Sequence, residues 1–391
     1  MKKKPELVAP GGNFEKVKIA YRYGADAVYV GGQAFGLRKS AQNLNNHQLK
    51  QAVELADEQN KKLYVVLNGY THQNELNALP AYLEVLEDCK VHALIISDLG
   101  TMQLAQKYCN RPLHTSTQAS VSNWKAAEQW KKCGAKRVVV ARECTIEECK
   151  EIQDKAEIEV ETFVHGAMCV SYSGKCTISN YSSGRDSNRG GCIQSCRHPF
   201  SFQEGEQEEL VHLMNAKDLM GVSLIPEIKA AGIHSLKIEG RMKSNLYLAN
   251  TVSVYRDAID QDHLSKPQVE KYETQLQQIS NRGFSTGSLN TPASPTESVS
   301  DTWNGYSKGC LFIGTIKHKD DDGFYYADIK SPFLSSDKLE LLKPKTTPTL
   351  LDSHAFLSID NHPLEKISQN SVVKFKSKTD LPLYSLIQKP L

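Results

Sequence analysis

The chain has 391 residues, with 47 Lys+Arg, 45 Asp+Glu and 10 Cys. At ~100–200 residues per domain the length predicts two or three domains, and a net charge of +2 excludes a grossly basic chain, so any nucleic-acid contact must come from a local patch. No run approaches the ~20 apolar residues of a membrane span; Met1-Lys2-Lys3-Lys4-Pro5-Glu6 lacks the apolar run of a signal peptide, so a cytoplasmic protein with reduced thiols and no membrane partner is expected.

The first 240 or so residues read as repeated strand-then-helix units. Glu6-Leu7-Val8-Ala9-Pro10 is an apolar strand ending at Gly11-Gly12, and helical spacing follows from Asn13 to Tyr23. The next strands are 25–30, 63–67, 93–96, 113–117, 137–141, 160–164 and 235–238. Eight β-rich runs alternating with helical segments predict an α/β fold, a (β/α)8 TIM-like barrel. An open doubly wound sheet is the alternative, but Gly11-Gly12 and Gly31-Gly32 do not make its dinucleotide fingerprint.

One crossover is irregular. From 166 to 234 the chain is far longer than a βα connection needs, and in a barrel such an insertion sits on the C-terminal face, where active sites lie. Helical spacing returns at 246–259 and 269–279. The barrel domain is expected over 1–290, a Ser/Thr/Pro/Asn-rich linker over 291–303, and a small all-β domain over 304–391.

The insertion holds Cys169, Cys176, Cys192 and Cys196, spaced C-x6-C-x15-C-x3-C. Its Ser, Gly and Asn content leaves little apolar surface to fold around. Four thiolates on a metal or cluster would order it. Zinc prefers Cys pairs two to four residues apart, which only Cys192 and Cys196 satisfy. Iron–sulfur clusters tolerate looser spacing, so the wide C-x6-C favours a cluster. The other six Cys are scattered and read as buried small hydrophobes.

Several long motifs resemble one family. Glu161 to Cys169, Gly174-Lys175-Cys176-Thr177-Ile178-Ser179, Asn188 to Arg197, Asn215-Ala216-Lys217-Asp218-Leu219, Lys237 to Lys243 and Asn281-Arg282-Gly283-Phe284 are similar to blocks of peptidase family U32. The resemblance is strongest to the subgroup that hydroxylates tRNA. It implies a barrel followed by a C-terminal β domain. It also implies iron–sulfur dependent, oxygen-independent hydroxylation of a tRNA uridine, giving 5-hydroxyuridine at the wobble position. A four-iron–four-sulfur cluster, prephenate as an anionic co-substrate and an unnamed electron donor go with that reading. Relatives often carry Cys after the Lys-Asp-Leu block, where Met220 stands here, which makes Cys196 the expected fourth ligand.

The family was first described as collagenase-like peptidases, so a peptidase is the alternative. No G-x-S-x-G or H-E-x-x-H occurs to support it. An RNA-binding protein with a structural zinc is the third reading. For the hydroxylase, an anionic co-substrate needs cations, and Arg142, Arg185, Arg189 and Arg241 lie at strand ends or in the insertion. Strict alternation puts Glu161, Phe163 and His165 on one face of the seventh strand, and Lys237 and Glu239 on one face of the eighth. His165, Glu239 and Glu161 are therefore the acid–base candidates, with a structural histidine as the alternative for His165 and a barrel-interior ion pair for Lys237. Asn68 and Gln118 end the third and fifth strands and are candidate substrate hydrogen-bonders. Lys374, Lys376 and Lys378 alternate and would line one face of a strand. Tyr172 and Tyr181 either stack on an extruded base or pack around the cluster.

Overall fold

A computed structural model describes the chain apart from residues 1–3, 38–41, 205–206, 293, 301–305 and 352–355. Seven strands pair in parallel in chain order: β1 (Glu6–Gly11), β2 (Ala27–Gly31), β3 (Lys62–Leu67), β4 (Ala93–Ile96), β5 (Leu113–Thr115), β6 (Ala135–Val139) and β7 (Glu159–Ala167). After a hairpin, β8 (Phe200–Glu204) and β9 (Gln207–Val211), and a short strand, β10 (Asp218–Met220), the chain returns in β11 (Ser235–Ile238). β11 pairs in parallel with both β7 and β1, so eight strands close a barrel.

These runs form strands because Val, Ile, Leu and Tyr dominate them and helices cover the outer face. The crossover helices are α1 (Phe14–Tyr23), α2 (Asn46–Glu58), α3 (Leu79–Asp88), α4 (Leu99–Tyr108), α5 (Trp124–Lys132) and α6 (Ile146–Ala156). Their starts are written locally. Asn13 caps α1 by accepting from Lys16 N at 2.9 Å, and Thr145 with Glu148 makes a capping box on α6. Such caps are worth ~1 kcal/mol each. The main core lies between strands and helices. A smaller cluster, including Val8, Tyr29, Tyr64, Val66 and Ile95, fills the interior.

The insertion after β7 carries a short helix, α7 (Ile178–Ser183), then the β8–β9 hairpin and β10, before the ordinary crossover helix α8 (Ile225–Ala231). β10 runs antiparallel to the extended end of β7, Met220 opposite His165. After β11 come α9 (Asn245–Asp260), buried along most of its length, and α10 (Lys266–Gln277). A two-residue strand, β12 (Phe284–Ser285), then pairs with β10.

The stretch expected as a linker is bonded to the barrel side. Lys217 N donates to Ser298 O and Ser300 N to Asn215 O; residues 293 and 301–303 lie outside the described residues. Beyond it, Cys310–Lys319 is the central strand of a six-stranded antiparallel sheet. That sheet has its own core around Ile313, Tyr325, Phe333 and Phe375. Cys310, Leu342 and Leu386 face the barrel's core instead, and the buried Tyr23 hydroxyl donates to Leu342 O at 2.7 Å. No helix of the described residues is long and apolar enough to cross a membrane.

Candidate active site

Two adjoining cavities open at the C-terminal end of the barrel. The inner one lies over the strand ends and is lined by Tyr29, Asn68, Gln118, Arg142, Phe163, Lys237, Glu239 and Arg241. The outer one is lined by all four cysteines of the insertion, with Tyr172, Ser179 and Asn188. Leu37, Gln118 and Arg142 line both, so the cavities share a wall.

The insertion is fastened over the barrel mouth by short polar contacts. Ser173 is the pivot: its N and Oγ donate to Glu143, and its Oγ accepts from Arg142 N at 3.2 Å. The Ser120 hydroxyl donates to Ser173 O. Gly174 has φ +74°, and a Cβ there would stand 2.1 Å from Gln118 O, so this close crossing requires glycine. Further along, Asn188 Nδ2 donates to Cys176 O at 2.8 Å. Cys176 and Cys196 are half-buried, Cys169 and Cys192 exposed, and none is in a disulfide. Burial, then the neighbouring Cys169, push the Cys196 thiol up, with Cys192 and Cys176 adding to the effect. The other three sulfurs therefore all lie within electrostatic reach of Cys196. Among the described residues no group of three or more His, Cys, Asp and Glu is placed to hold a metal ion as it stands.

In the inner cavity, Glu239 accepts from the Tyr29 hydroxyl at 3.1 Å. Asn68 Oδ1 accepts from Leu37 N at 3.1 Å, and its Nδ2 donates to Ser116 Oγ at 3.4 Å. The Arg142 guanidinium lies 4.9 Å over the Phe163 ring. Its buried Nε has no hydrogen-bond partner among the described residues. The Arg241 guanidinium donates to Asn43 Oδ1 and lies so close to Gly31 that a Cβ there would clash.

Three candidates belong elsewhere. Glu161 sits below the inner cavity, fully buried, 2.8 Å from Lys237 Nζ and 3.2 Å from Arg137 Nη1, and accepts from Ser235 Oγ at 2.9 Å. Burial raises its pKa, but Lys237 and Arg137 outweigh that and hold it below the usual carboxylate value. Glu6, on the same Arg137, is likewise pushed up by burial yet held at about 2. This is an ion network filling the barrel axis, with Lys237 its upper end. Arg189 anchors the insertion: it pairs with Glu75 at 2.8 Å and donates to Tyr70 O. Arg185 is exposed on the rim.

His165 is the correction that matters. The pairing of β7 with β11 slips by one residue, Phe163 facing Lys237 but His165 facing Ile238. Val164 is the extra residue of a bulge, so alternation fails there. His165 turns out of the barrel into an aromatic nest of Tyr247, Tyr255 and Phe284, with ring centroids 5.5–5.7 Å away. Burial pulls its pKa down to about 3. His114, edge-on to Tyr64 inside the barrel, is also pulled to about 3 by burial.

Both imidazoles are thus neutral when folded and would protonate near 6.5 when unfolded. The unfolded chain binds more protons below pH 6.5, so stability falls on acidification from there toward pH 3. Two such groups give a slope of up to about 2.7 kcal/mol per pH unit. Urea midpoints measured between pH 7 and 5, above the carboxylate range, should fall steadily; a flat profile would show that these rings are not held neutral.

The residues missed from sequence lie behind the cysteines. Arg282 donates from Nε to Asp218 Oδ1 at 2.9 Å, both almost fully buried, and Lys243 Nζ is 3.7 Å from Asp218 Oδ2. Burial, then Arg282, lower the Arg197 pKa. Nothing local marks Asp218 and Arg282 as partners, 64 residues apart. Tyr29 was findable, as it alternates with Ala27 on the inner face of β2. Lys374 and Lys376, part of the expected basic stripe, lie over the Phe324 ring.

The model of peptidase family U32 matches residues 12–298. A Bacillus subtilis protein named tRNA hydroxylation protein P1 is 37% identical, covering 96% of this chain and 92% of that one. An uncharacterized protease of Methanocaldococcus jannaschii is 38% identical over 72% of each chain. The Escherichia coli 23S rRNA 5-hydroxycytidine C2501 synthase is 34% identical, covering 65% of this chain and 39% of that one.

Proposed function

We propose, from the premise that this chain belongs to peptidase family U32, that it is an RNA-modifying hydroxylase acting on tRNA. Relatives named for tRNA hydroxylation and for hydroxycytidine synthesis support the reaction class. The observation that carries the reading is the shared wall: a four-thiol cavity opens beside a polar cavity at a barrel's C-terminal end.

The finer reading is oxygen-independent formation of 5-hydroxyuridine at the wobble position, with a four-iron–four-sulfur cluster on Cys169, Cys176, Cys192 and Cys196. The donor set fits that group: four thiols, none in a disulfide, line one cavity. Only Cys192 and Cys196 have the close sequence spacing that zinc sites favour, whereas the wide C-x6-C suits a cluster. When bound, the cluster would supply one-electron redox chemistry beside the inner cavity.

The chain's own residues bind and orient. Arg142 and Arg241 line the inner cavity beside Glu239, while Lys237 is paired with Glu161 below it. Guanidinium groups suit an anionic co-substrate, and prephenate is the proposed one. The unpartnered Arg142 Nε is a donor available to a carboxylate at the wall between the cavities. Asn68 and Gln118 present amides to a pyrimidine edge. Glu239, hydrogen-bonded by Tyr29, is the acid–base group.

Hydrolysis of peptides would need an activated nucleophile. The two buried histidines do not serve one: His114 packs on Tyr64, His165 lies outside the barrel wall, and both are weak bases with pKa near 3.

The test is anaerobic purification, metal and acid-labile sulfide analysis, and mass spectrometry of nucleosides from tRNA incubated with the protein and prephenate. About four irons and four sulfides per chain, with prephenate-dependent hydroxyuridine, is the expected result. Zinc alone, or tRNA left unmodified by iron-loaded protein, would refute it.

A further inference from the structure

The cysteine-bearing segment concentrates positive charge on a nearly neutral chain. From Gly166 to Pro199 stand Lys175, Arg185, Arg189 and Arg197 against a single acid, Asp186, while the whole chain carries only +2. Asp186 is engaged locally, accepting from Asn188 N at 3.0 Å. Arg189 is paired with Glu75 and Arg197 is half-buried, so Lys175 and Arg185 are the segment's exposed cations.

Each exposed cation has an exposed aromatic close by in the chain. Tyr172 is 59% exposed and Tyr181 89% exposed. Tyr172 and Lys175 close one tight turn, Lys175 N donating to Tyr172 O at 3.0 Å. Tyr181 and Arg185 flank the end of α7, whose inner residues Ile178 and Ser179 line the cysteine cavity. Tyr172 lines the same cavity. None of these four side chains makes a hydrogen bond or ion pair among the described residues. Tyr172 stands at the edge of the cysteine cavity and Tyr181 outside it, both largely exposed.

Aromatic faces beside cations are what unpaired nucleic acid binds: bases stack on the rings and phosphates meet the charges. A duplex hides its base faces and gains nothing from the rings. A protein partner would ask for a broader apolar surface than the Ser, Gly and Asn around these rings provide.

We infer that this rim is the contact surface for an unpaired RNA loop. Tyr172 stacks on the base presented to the cavity, Tyr181 stacks on a flanking base, and Lys175 and Arg185 hold the adjoining phosphates. The inference deepens the RNA-hydroxylase reading and rests on it.

The test compares the full chain and its variants for affinity to a fluorescent RNA hairpin with an unpaired loop and to a blunt duplex of equal length. Wild type should prefer the hairpin. Tyr181→Ala should weaken hairpin binding about fivefold or more, as expected for one lost stack of ~1–3 kcal/mol. Tyr181→Phe should restore it, and duplex binding should not move. Arg185→Ala should flatten the salt dependence of hairpin binding by about 0.7 in log–log slope. Thermal unfolding midpoints matching wild type exclude a folding defect. Equal affinity of wild type and Tyr181→Ala for the hairpin, or no preference of wild type for the loop, overturns the inference. Protein that binds the loop through Tyr181 but forms no hydroxylated nucleoside overturns the function and leaves this surface standing.

Discussion

Cys176→Ala is expected to give a protein that keeps its barrel, loses its iron and sulfide, and hydroxylates no RNA. Cys176 is half-buried in the outer cavity, and its carbonyl accepts from Asn188. The insertion contributes few apolar side chains to the main core, which is built from barrel strands and crossover helices. Removing the thiol should therefore leave far-UV circular dichroism and the urea midpoint near wild type. Activity should fall by more than about 100-fold, beyond the effect of losing an outer-shell partner of a metal site. Cys133→Ser, at a half-buried position on the barrel's helical layer, is the control and should keep both metal and activity. A Cys176→Ala protein with wild-type iron and turnover would remove these cysteines from the mechanism.

Glu161→Ala is expected to destabilise the fold by about 3–5 kcal/mol, the range for breaking a buried ion pair. Arg137 would still have Glu6 and Glu159, at 3.0 and 2.7 Å. Lys237 would not be rescued: its ammonium, 4% exposed as a residue, keeps among the described residues only the Tyr29 and Phe163 rings at 4.5 and 5.8 Å. Set against a typical total of about 5–15 kcal/mol, the loss is severe. Glu161→Met with Lys237→Met should recover most of it, because two apolar side chains replace the pair without leaving a lone charge. Reversible urea unfolding measures both. A single variant within about 1 kcal/mol of wild type would show that water reaches the barrel axis.

The barrel was legible because strands buried on both faces must be apolar, and Leu63 to Leu67 or Ala93 to Ile96 have little else to be. The closing strand, Ser235–Ile238, was legible for the same reason despite the long insertion before it. The gathering of the four cysteines was legible because they stand close together in one polar segment, and they line one cavity. Side-chain direction was not. Alternation carried Glu239 and Lys237 to the inner cavity, but it failed at His165, since a bulge residue such as Val164 looks like any other strand valine. Arg189 was read from its place in the segment, whereas its role is set by Glu75, far away in the chain. The Asp218–Arg282 pair was invisible because long-range partners leave no spacing in sequence.

The bulge in β7 also constrains how gene variation can reshape this protein. Val164 gives β7 one residue more than β11 sets opposite it, so loss of that residue would only remove the bulge and leave His165 facing outward. A second loss would have no bulge to absorb it and would swap inward for outward along the rest of the strand. The β8–β9 hairpin, paired among the described residues only with itself, is under no such parity rule. Length differences among natural variants should therefore collect in that hairpin, while β7 accepts a single loss only at its bulge.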